Sequence, residues 1–186
     1  MVMQSESEHS LVAQAKNGDQ RAFELLVRLH EESVQKVVVA MLGNVPEAQD
    51  VAQEVFIRWY QAMDRFEGRS GLRTYLTRIA INLSLNEIKR RKQKSGWMVV
   101  DNKHEVASHD FADDGTVHRN WEINDLLQKA MELLTPEFRI VLVLRLVEGY
   151  SVQETADMLQ IPEGTVASRL ARAQIKLRAW ISKLDQ

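Results

Sequence analysis

Five side chains near the end of this 186-residue chain fall on one helical stripe. They are Thr165, Ser168, Arg169, Arg172 and Lys176, at i, i+3, i+4, i+7 and i+11. Arg can bond guanine bidentately, Ser and Thr accept several base partners, and Lys neutralises phosphate. The bland alternative is a solvated face of an amphipathic helix. Such faces usually mix signs, whereas the only acid near this one is Glu163. The stripe therefore points to nucleic acid.

A second group lies mid-chain. Thr74, Arg78 and Asn82 follow at four-residue steps with Arg73 beside them, behind the loop Phe66-Glu67-Gly68-Arg69-Ser70-Gly71. A Gly-rich turn with Arg and Ser can wrap an extruded base, and Phe66 or Tyr75 can stack on it. Both aromatics suit a packed core equally well. Asn82 sits in a helix interior, where its propensity is poor, which favours a polar role. Just upstream, Asp50, Gln53 and Glu54 cluster on a polar face flanked by Phe56, Ile57 and Tyr60, which fall off the main apolar stripe. Apolar residues beyond one face imply a second burial partner.

The net charge of −2 hides a segregated chain. Residues 1–64 carry −5, residues 65–94 carry +7, residues 95–125 carry −5, residues 126–164 carry −3 and residues 165–186 carry +4. Two separated basic segments in an acidic protein suggest two contacts with polyanion. The run Lys89-Arg90-Arg91-Lys92 adds Arg90 and Arg91 as phosphate contacts, although cations also favour a helix C-terminus for dipole reasons alone. Without cysteine there is no disulfide scaffold, thiol nucleophile or cysteine-ligated metal site. The longest apolar run, Val37 to Leu42, is far short of the roughly 20 residues that span a bilayer. The acidic start MVMQSESEHS does not read as a signal peptide, so the expected location is cytoplasmic.

Helices must position these groups. Asp19 caps a helix whose stripe runs Phe23, Leu26, Val27, His30, Val34, Val37, Val38 and Met41 to a stop at Gly43. A short helix over Leu11 to Lys16 precedes it. Pro46 opens the next helix, with Ala48, Val51, Ala52, Val55, Trp59 and Met63 inward. Ser70 caps a third, with Leu72, Tyr75, Leu76, Ile79, Ala80 and Leu83 inward. From Ser95 to His118 the period fails in an acidic stretch, which reads as a linker with anchoring spots at Trp97 to Val100 and at Phe111. Beyond Trp121 come a helix through Leu134, another from Thr135-Pro136 to Gly149, and a capping box at Ser151 and Glu154. The helix it opens ends near Leu159, and the turn Gln160-Ile161-Pro162 leads into a last helix, Glu163 to Leu184. Small Ala156 lets these two helices approach, and Val166, Leu170, Ala173, Leu177, Ile181 and Leu184 face the core. This is helix-turn-helix geometry. The fold class is all-α: two small helical domains, 1–94 and 121–186, joined by a flexible acidic linker over 95–120.

Taken in order, PEAQDVAQEVFIRWYQAMDRFEGRSGLRTYLTRIAINLSLNEIKRRK and LTPEFRIVLVLRLVEGYSVQETADMLQIPEGTVASRLARAQIKLR closely resemble bacterial sigma factors of the sigma-70 family. Specifically, they resemble the extracytoplasmic-function (ECF) group, which has only regions 2 and 4. The resemblance covers about residues 20–94 and 122–180. It implies a dissociable subunit that directs core RNA polymerase to promoter DNA and opens it. It assigns Asp50, Gln53, Glu54, Phe56 and Ile57 to core binding. It assigns Phe66, Arg69, Ser70, Arg73, Thr74, Tyr75, Arg78 and Asn82 to the −10 element, and Thr165, Ser168, Arg169, Arg172 and Lys176 to the −35 element. It also implies an anti-sigma factor as partner, membrane-anchored or free, with no small-molecule substrate, cofactor, metal or membrane insertion. Three departures stand out: Tyr75 in place of a usual Trp-Leu pair, Ala167 and Ala171 where longer side chains are common, and Gln160 where the turn often has Gly.

Two rival readings are weaker. A dimeric helix-turn-helix regulator would leave the mid-chain basic helix unexplained. An enzyme would need more than His109-Asp110 in the linker, and His30-Glu31-Glu32 lacks the second histidine of a zinc helix.

Overall fold

The computed structural model describes residues 2–68, 70–97, 126 and 128–182, which hold helices and no strand. α1 spans Val2–Lys16, a longer helix than the Leu11 to Lys16 segment that its apolar residues predict. Its first half is polar, so periodicity alone gives no reason to extend it. α2 spans Gln20–Leu42, and Asp19 caps it by accepting from the Arg21 and Ala22 amides at 2.9 and 3.3 Å. Gly43 ends it at φ 92°, a conformation that excludes most side chains. α3 spans Pro46–Ala62 and closes in a single 3₁₀ turn, Met63–Arg65.

α4 spans Leu72–Trp97. The Gly71 carbonyl accepts its first amide bond, from Tyr75 at 3.2 Å, so Gly71 and not Ser70 holds the cap position. The helix also runs three residues past the expected domain end at 94. The remainder of the expected linker, including Phe111, lies outside the described residues. α5 covers 128–132, α6 Pro136–Leu142, α7 Val152–Leu159 and α8 Glu163–Ile181.

Between α6 and α7 the chain widens into a π-helical turn, Val143–Val147. The Glu148 amide donates to the Val143 carbonyl five residues back, at 3.0 Å. The predicted helix to Gly149 thus ends in a looser turn, and Gly149 at φ 77° redirects the chain into α7. Such π turns often mark places where side-chain placement outweighs helix regularity. Here the turn aims Glu148 and Tyr150 back at α4.

α2 lies at the centre, packed by α1, α3 and α4. Leu26, Val37, Val38 and Met41 of α2, Val55 and Trp59 of α3, and Ala80 of α4 are fully buried, as the stripes predict. The second half of the chain enters the same core: Met131, Leu134, Ile140, Leu142, Val143, Leu144, Tyr150 and Ala173 belong to one buried cluster with α2. The helix-turn-helix has only a small core of its own, Val141, Ala156 and Val166, ringed by Val152, Leu159, Ile161 and Leu170. Ile181 is 50% exposed, against its expected place inside. α6, its packing partner, has 7 residues against 19 in α8, so the last turns of α8 run beyond it. Leu184 lies outside the described residues.

The turn between α7 and α8 puts Gln160 in the left-handed region at φ 54°, ψ 44°, with its side chain in solvent. That conformation costs an L-residue roughly 1–2 kcal/mol, which Gly avoids, less the extra unfolded-state entropy of Gly. Gln160→Gly should therefore stabilise the protein by about 0.5–1 kcal/mol in urea unfolding. A lower midpoint would mean that the Gln160 side chain makes contacts that outweigh the strain.

Candidate nucleic-acid interface

The Ser151 hydroxyl accepts from the Glu154 amide at 3.1 Å, and the Glu154 carboxylate accepts from the Ser151 amide at 2.7 Å. This reciprocal box fixes the start of α7. The bonds from Ser151 hold the Glu154 carboxyl below its usual pKa. α7 in turn supports α8, whose Val166 is fully buried beside Ala156. On the opposite side of α8, Ser168, Arg172 and Lys176 are exposed, while Thr165 and Arg169 are half-buried. The stripe exists as predicted, but its edges are engaged within the protein. The Lys176 ammonium sits 4.9 Å from the Phe138 ring centre, and the Ser168 hydroxyl donates to the Thr165 carbonyl at 3.1 Å. Hydrogen bonds from Thr135 and from its own amide hold Glu137 in its charged form, and Arg169 adds to that pull.

In the mid-chain group, the residues predicted together separate onto two faces of α4. Arg78 and Asn82 are exposed and Thr74 half-buried, forming one open row. Arg73 and Thr77 turn toward the second half of the chain. The Arg73 guanidinium reaches the Glu148 carboxylate at 2.9 and 3.2 Å and the Glu148 carbonyl at 3.1 Å. Phe66 is buried, its ring 5.0 Å from that of Tyr75 at a 57° tilt. The two aromatics pack together, Phe66 buried and Tyr75 half-buried. Arg69 lies outside the described residues.

The loop borders a hollow of about 210 Å³, closed on its far side by Glu8, His9, Val12, Ala13 and Lys16 of α1. Lys16 donates to the Phe66 carbonyl, and its ammonium lies 6.0 Å from the Phe66 ring centre. Sequence reasoning missed this lysine because its partner is a backbone carbonyl 50 residues away. The Glu8 carboxylate stands 3.2 Å from the buried His30 imidazole. Burial lowers the His30 pKa, Arg73 lowers it further, and Glu8 opposes both.

The basic run is less free than its composition suggests. Arg90 grips Glu87 at 2.6 and 2.8 Å, and Arg91 reaches Glu87 at 3.1 Å. Arg91 also approaches the Leu42 carbonyl at 3.3 Å and Glu47 at 3.4 Å. These bonds, led by that from Arg90, hold the Glu87 carboxyl below its usual range. Arg91 thus ties α4 to the ends of α2 and α3, a role that the predicted phosphate contact did not include.

On α3, Asp50, Gln53 and Ile57 are exposed along one line with half-buried Glu54, which pairs with Arg58 at 2.9 Å. Phe56, Ile57, Tyr60 and Gln61 of α3 and Phe23 of α2 line a shallow apolar hollow. Phe23 stacks on the buried Trp59 at 5.2 Å and meets Tyr60 edge-on at 5.1 Å. Tyr60 is 61% and Ile57 50% exposed, so this face carries apolar surface that the described residues do not cover.

Comparison with known proteins fits this arrangement. Residues 26–94 match the family described as "Sigma-70 region 2", and residues 124–177 match "Sigma-70, region 4". The RNA polymerase sigma-H factor of Pseudomonas aeruginosa is 35% identical over 179 residues, with 93% of each chain covered. The ECF RNA polymerase sigma factor SigW of Bacillus subtilis is 31% identical, covering 93% of this chain and 96% of its own. Among solved structures, CnrH in complex with the cytosolic domain of CnrY superposes with a TM-score of 0.71 at 24% identity, covering 95% of this chain and 97% of that one. Two regions in family order, with relatives 31–35% identical over most of the chain, place this chain in the sigma-70 family of RNA polymerase sigma factors, within the ECF group.

Proposed function

We propose a division of labour within this sigma factor. The exposed line Asp50, Gln53, Ile57 and its apolar neighbours bind core RNA polymerase. The 66–71 loop with Thr74, Arg78 and Asn82 engages the −10 element, and Ser168, Arg172 and Lys176 reach into the major groove at the −35 element. The first unit extends to Trp97, and the second begins near Trp121. The chain catalyses nothing itself and acts in the cytoplasm, where an anti-sigma factor restrains it. Among the described residues no helix is long and apolar enough to cross a membrane.

The observation that carries the reading is the exposed Ser168–Arg172–Lys176 row on a helix whose other side is locked by a capped partner helix. An α-helix with a polar, basic outer row fits a major groove. A dimeric regulator would use the same helix, but would not call for the polar and apolar line on α3.

Three variants test the parts. Arg172→Ala should weaken binding of the polymerase holoenzyme to a matched −35 duplex by roughly 1–3 kcal/mol if Arg172 reads a base. A uniform loss across sequences, with the salt slope smaller by about one, would mean phosphate contact instead. Unchanged binding at every salt concentration would remove α8 from the groove.

Asp50→Lys with Gln53→Ala should weaken core association while costing about 0.5 kcal/mol or less of stability, since both residues are exposed. Normal core affinity in a titration with labelled protein would take this face out of the interface.

Lys16→Ala should slow promoter opening, read by permanganate reactivity, because the 66–71 loop loses its anchor to α1. Lys16→Arg should retain most of the opening, and duplex capture at the −35 element should be unchanged in both. Opening at the parental rate in Lys16→Ala would show that the loop holds its shape without α1.

A further inference from the structure

We infer that Phe138 is a positioning residue for contact with the −35 element: its ring seats the Lys176 ammonium at the edge of α8 and holds that charge, unneutralised, for a strand phosphate. The inference rests on the proposed placing of α8 in the major groove.

The seat is built from α6. The Phe138 amide donates to the Thr135 carbonyl at 3.0 Å, so the first turn of α6 fixes where the ring begins. The half-buried ring packs against the shared core, and Ala173 of α8 is fully buried in that same core. Ala173 stands three residues before Lys176, so a single helical turn separates the buried position from the exposed lysine. The Lys176 ammonium comes to lie 4.9 Å from the Phe138 ring centre. Arg169, on the same edge about two turns earlier, is half-buried and pulls on the carboxylate of Glu137, the neighbour of Phe138. The start of α6 thus holds both edge cations of α8.

The two partners differ in what they leave over. A carboxylate neutralises a cation and competes with phosphate for it. An aromatic face attracts the cation through its quadrupole and removes none of its charge. Seated on Phe138, Lys176 gives up side-chain freedom before DNA arrives, yet keeps N–H groups for an anion. Position along the helix names that anion. Residues near the start of a recognition helix meet base edges. Lys176 lies eight residues past Ser168, about 12 Å along the axis, which matches the width of the major groove. There it meets the phosphates that border the groove, not the bases within it.

The test measures binding of the polymerase holoenzyme, over a series of KCl concentrations, to a duplex that the parental holoenzyme selects from random DNA. Lys176→Gln should make the fall of log affinity with log salt shallower by about 0.9, the value of one phosphate. Replacing Phe138 by trifluorophenylalanine nearly keeps the size of the ring while draining negative charge from its face. That change should weaken binding about 2–5-fold, the range of an exposed cation–π contact, and Phe138→Tyr should bind as the parent does. In the Lys176→Gln protein the fluorinated ring should cost nothing further. Parental binding by the fluorinated protein overturns the inference. So does a loss that persists in Lys176→Gln, since Phe138 would then only pack α6 on α8. A parental salt slope in Lys176→Gln, with Arg172→Ala still weakening binding, also overturns it and leaves α8 in the groove. No change in either variant would sink the placing of α8, and the inference with it.

Discussion

A buried guanidinium at the end of α2 makes the two halves of this chain one folded unit. α2 ends with carbonyls that have no helical partner, a requirement of every helix terminus. Arg139 of α6 answers it by donating to the Met41 carbonyl, and also reaches the Leu134 carbonyl at 3.3 Å. Burial pushes the Arg139 pKa down, yet an arginine remains charged, and a cation suits the negative end of a helix. Around this point Met131, Leu134, Ile140 and Leu142 bury their side chains against region 2. Gln128 and Glu132 lie against Gly43, where a Cβ would approach them to 3.0 and 3.1 Å. Gly43 is thus needed for its backbone angle, while a Cβ there would only press on the ends of two flexible side chains.

The arginines of region 2 divide by what they face. Arg78 is exposed on the open row of α4. Arg73, Arg90 and Arg91 hold carboxylates of this same chain. A charge count along the sequence treats all four alike and reports a basic segment. The structure shows that part of this charge stabilises helix ends and domain contact. The acidic partners Glu87, Glu47 and Glu148 lie 4, 44 and 75 residues from the arginines they meet. Only the first of these pairs has a helical spacing that a sequence reading can use.

This contrast explains what was legible in the sequence. Local rules worked: the Asp19 cap, Gly43, Pro46, the Ser151–Glu154 box and the strained Gln160 turn all depend on residues within one helical turn. The stripes located Trp59, Val55 and Val166 correctly because burial imposes its period on the sequence. The polar first half of α1 carries no such period, and its helix was missed. Ser70 reads as a cap by residue type, but the first helical bond goes to Gly71. The shared core was also hidden, since Leu134 or Tyr150 would look the same packed within region 4 or against α2. For the site, Ser168, Arg172 and Lys176 are exposed on one row of α8 as their spacing predicts, whereas Lys16 and Glu148 meet partners that no spacing rule connects.

The contact between the two halves differs in chemistry from one side to the other. A wide dry interface would hold the halves together with every buried apolar group adding to the cost of separation. At the contact of Glu148 and Tyr150 with α4, charged and hydroxyl groups take a large part. Their bonds can be replaced by bonds to water with little net loss, because a hydrogen bond exchanged for another contributes only about 1 kcal/mol. The apolar part sits near α2 and Arg139, and the polar part sits against α4, the helix with the open row Thr74, Arg78 and Asn82. Separating the halves would therefore cost least at the α4 side, where water can replace the lost bonds, and most at α2, where apolar groups would be exposed. The π turn allows both contacts at once, since it places Glu148 and Tyr150 against α4 while α6 remains on α2.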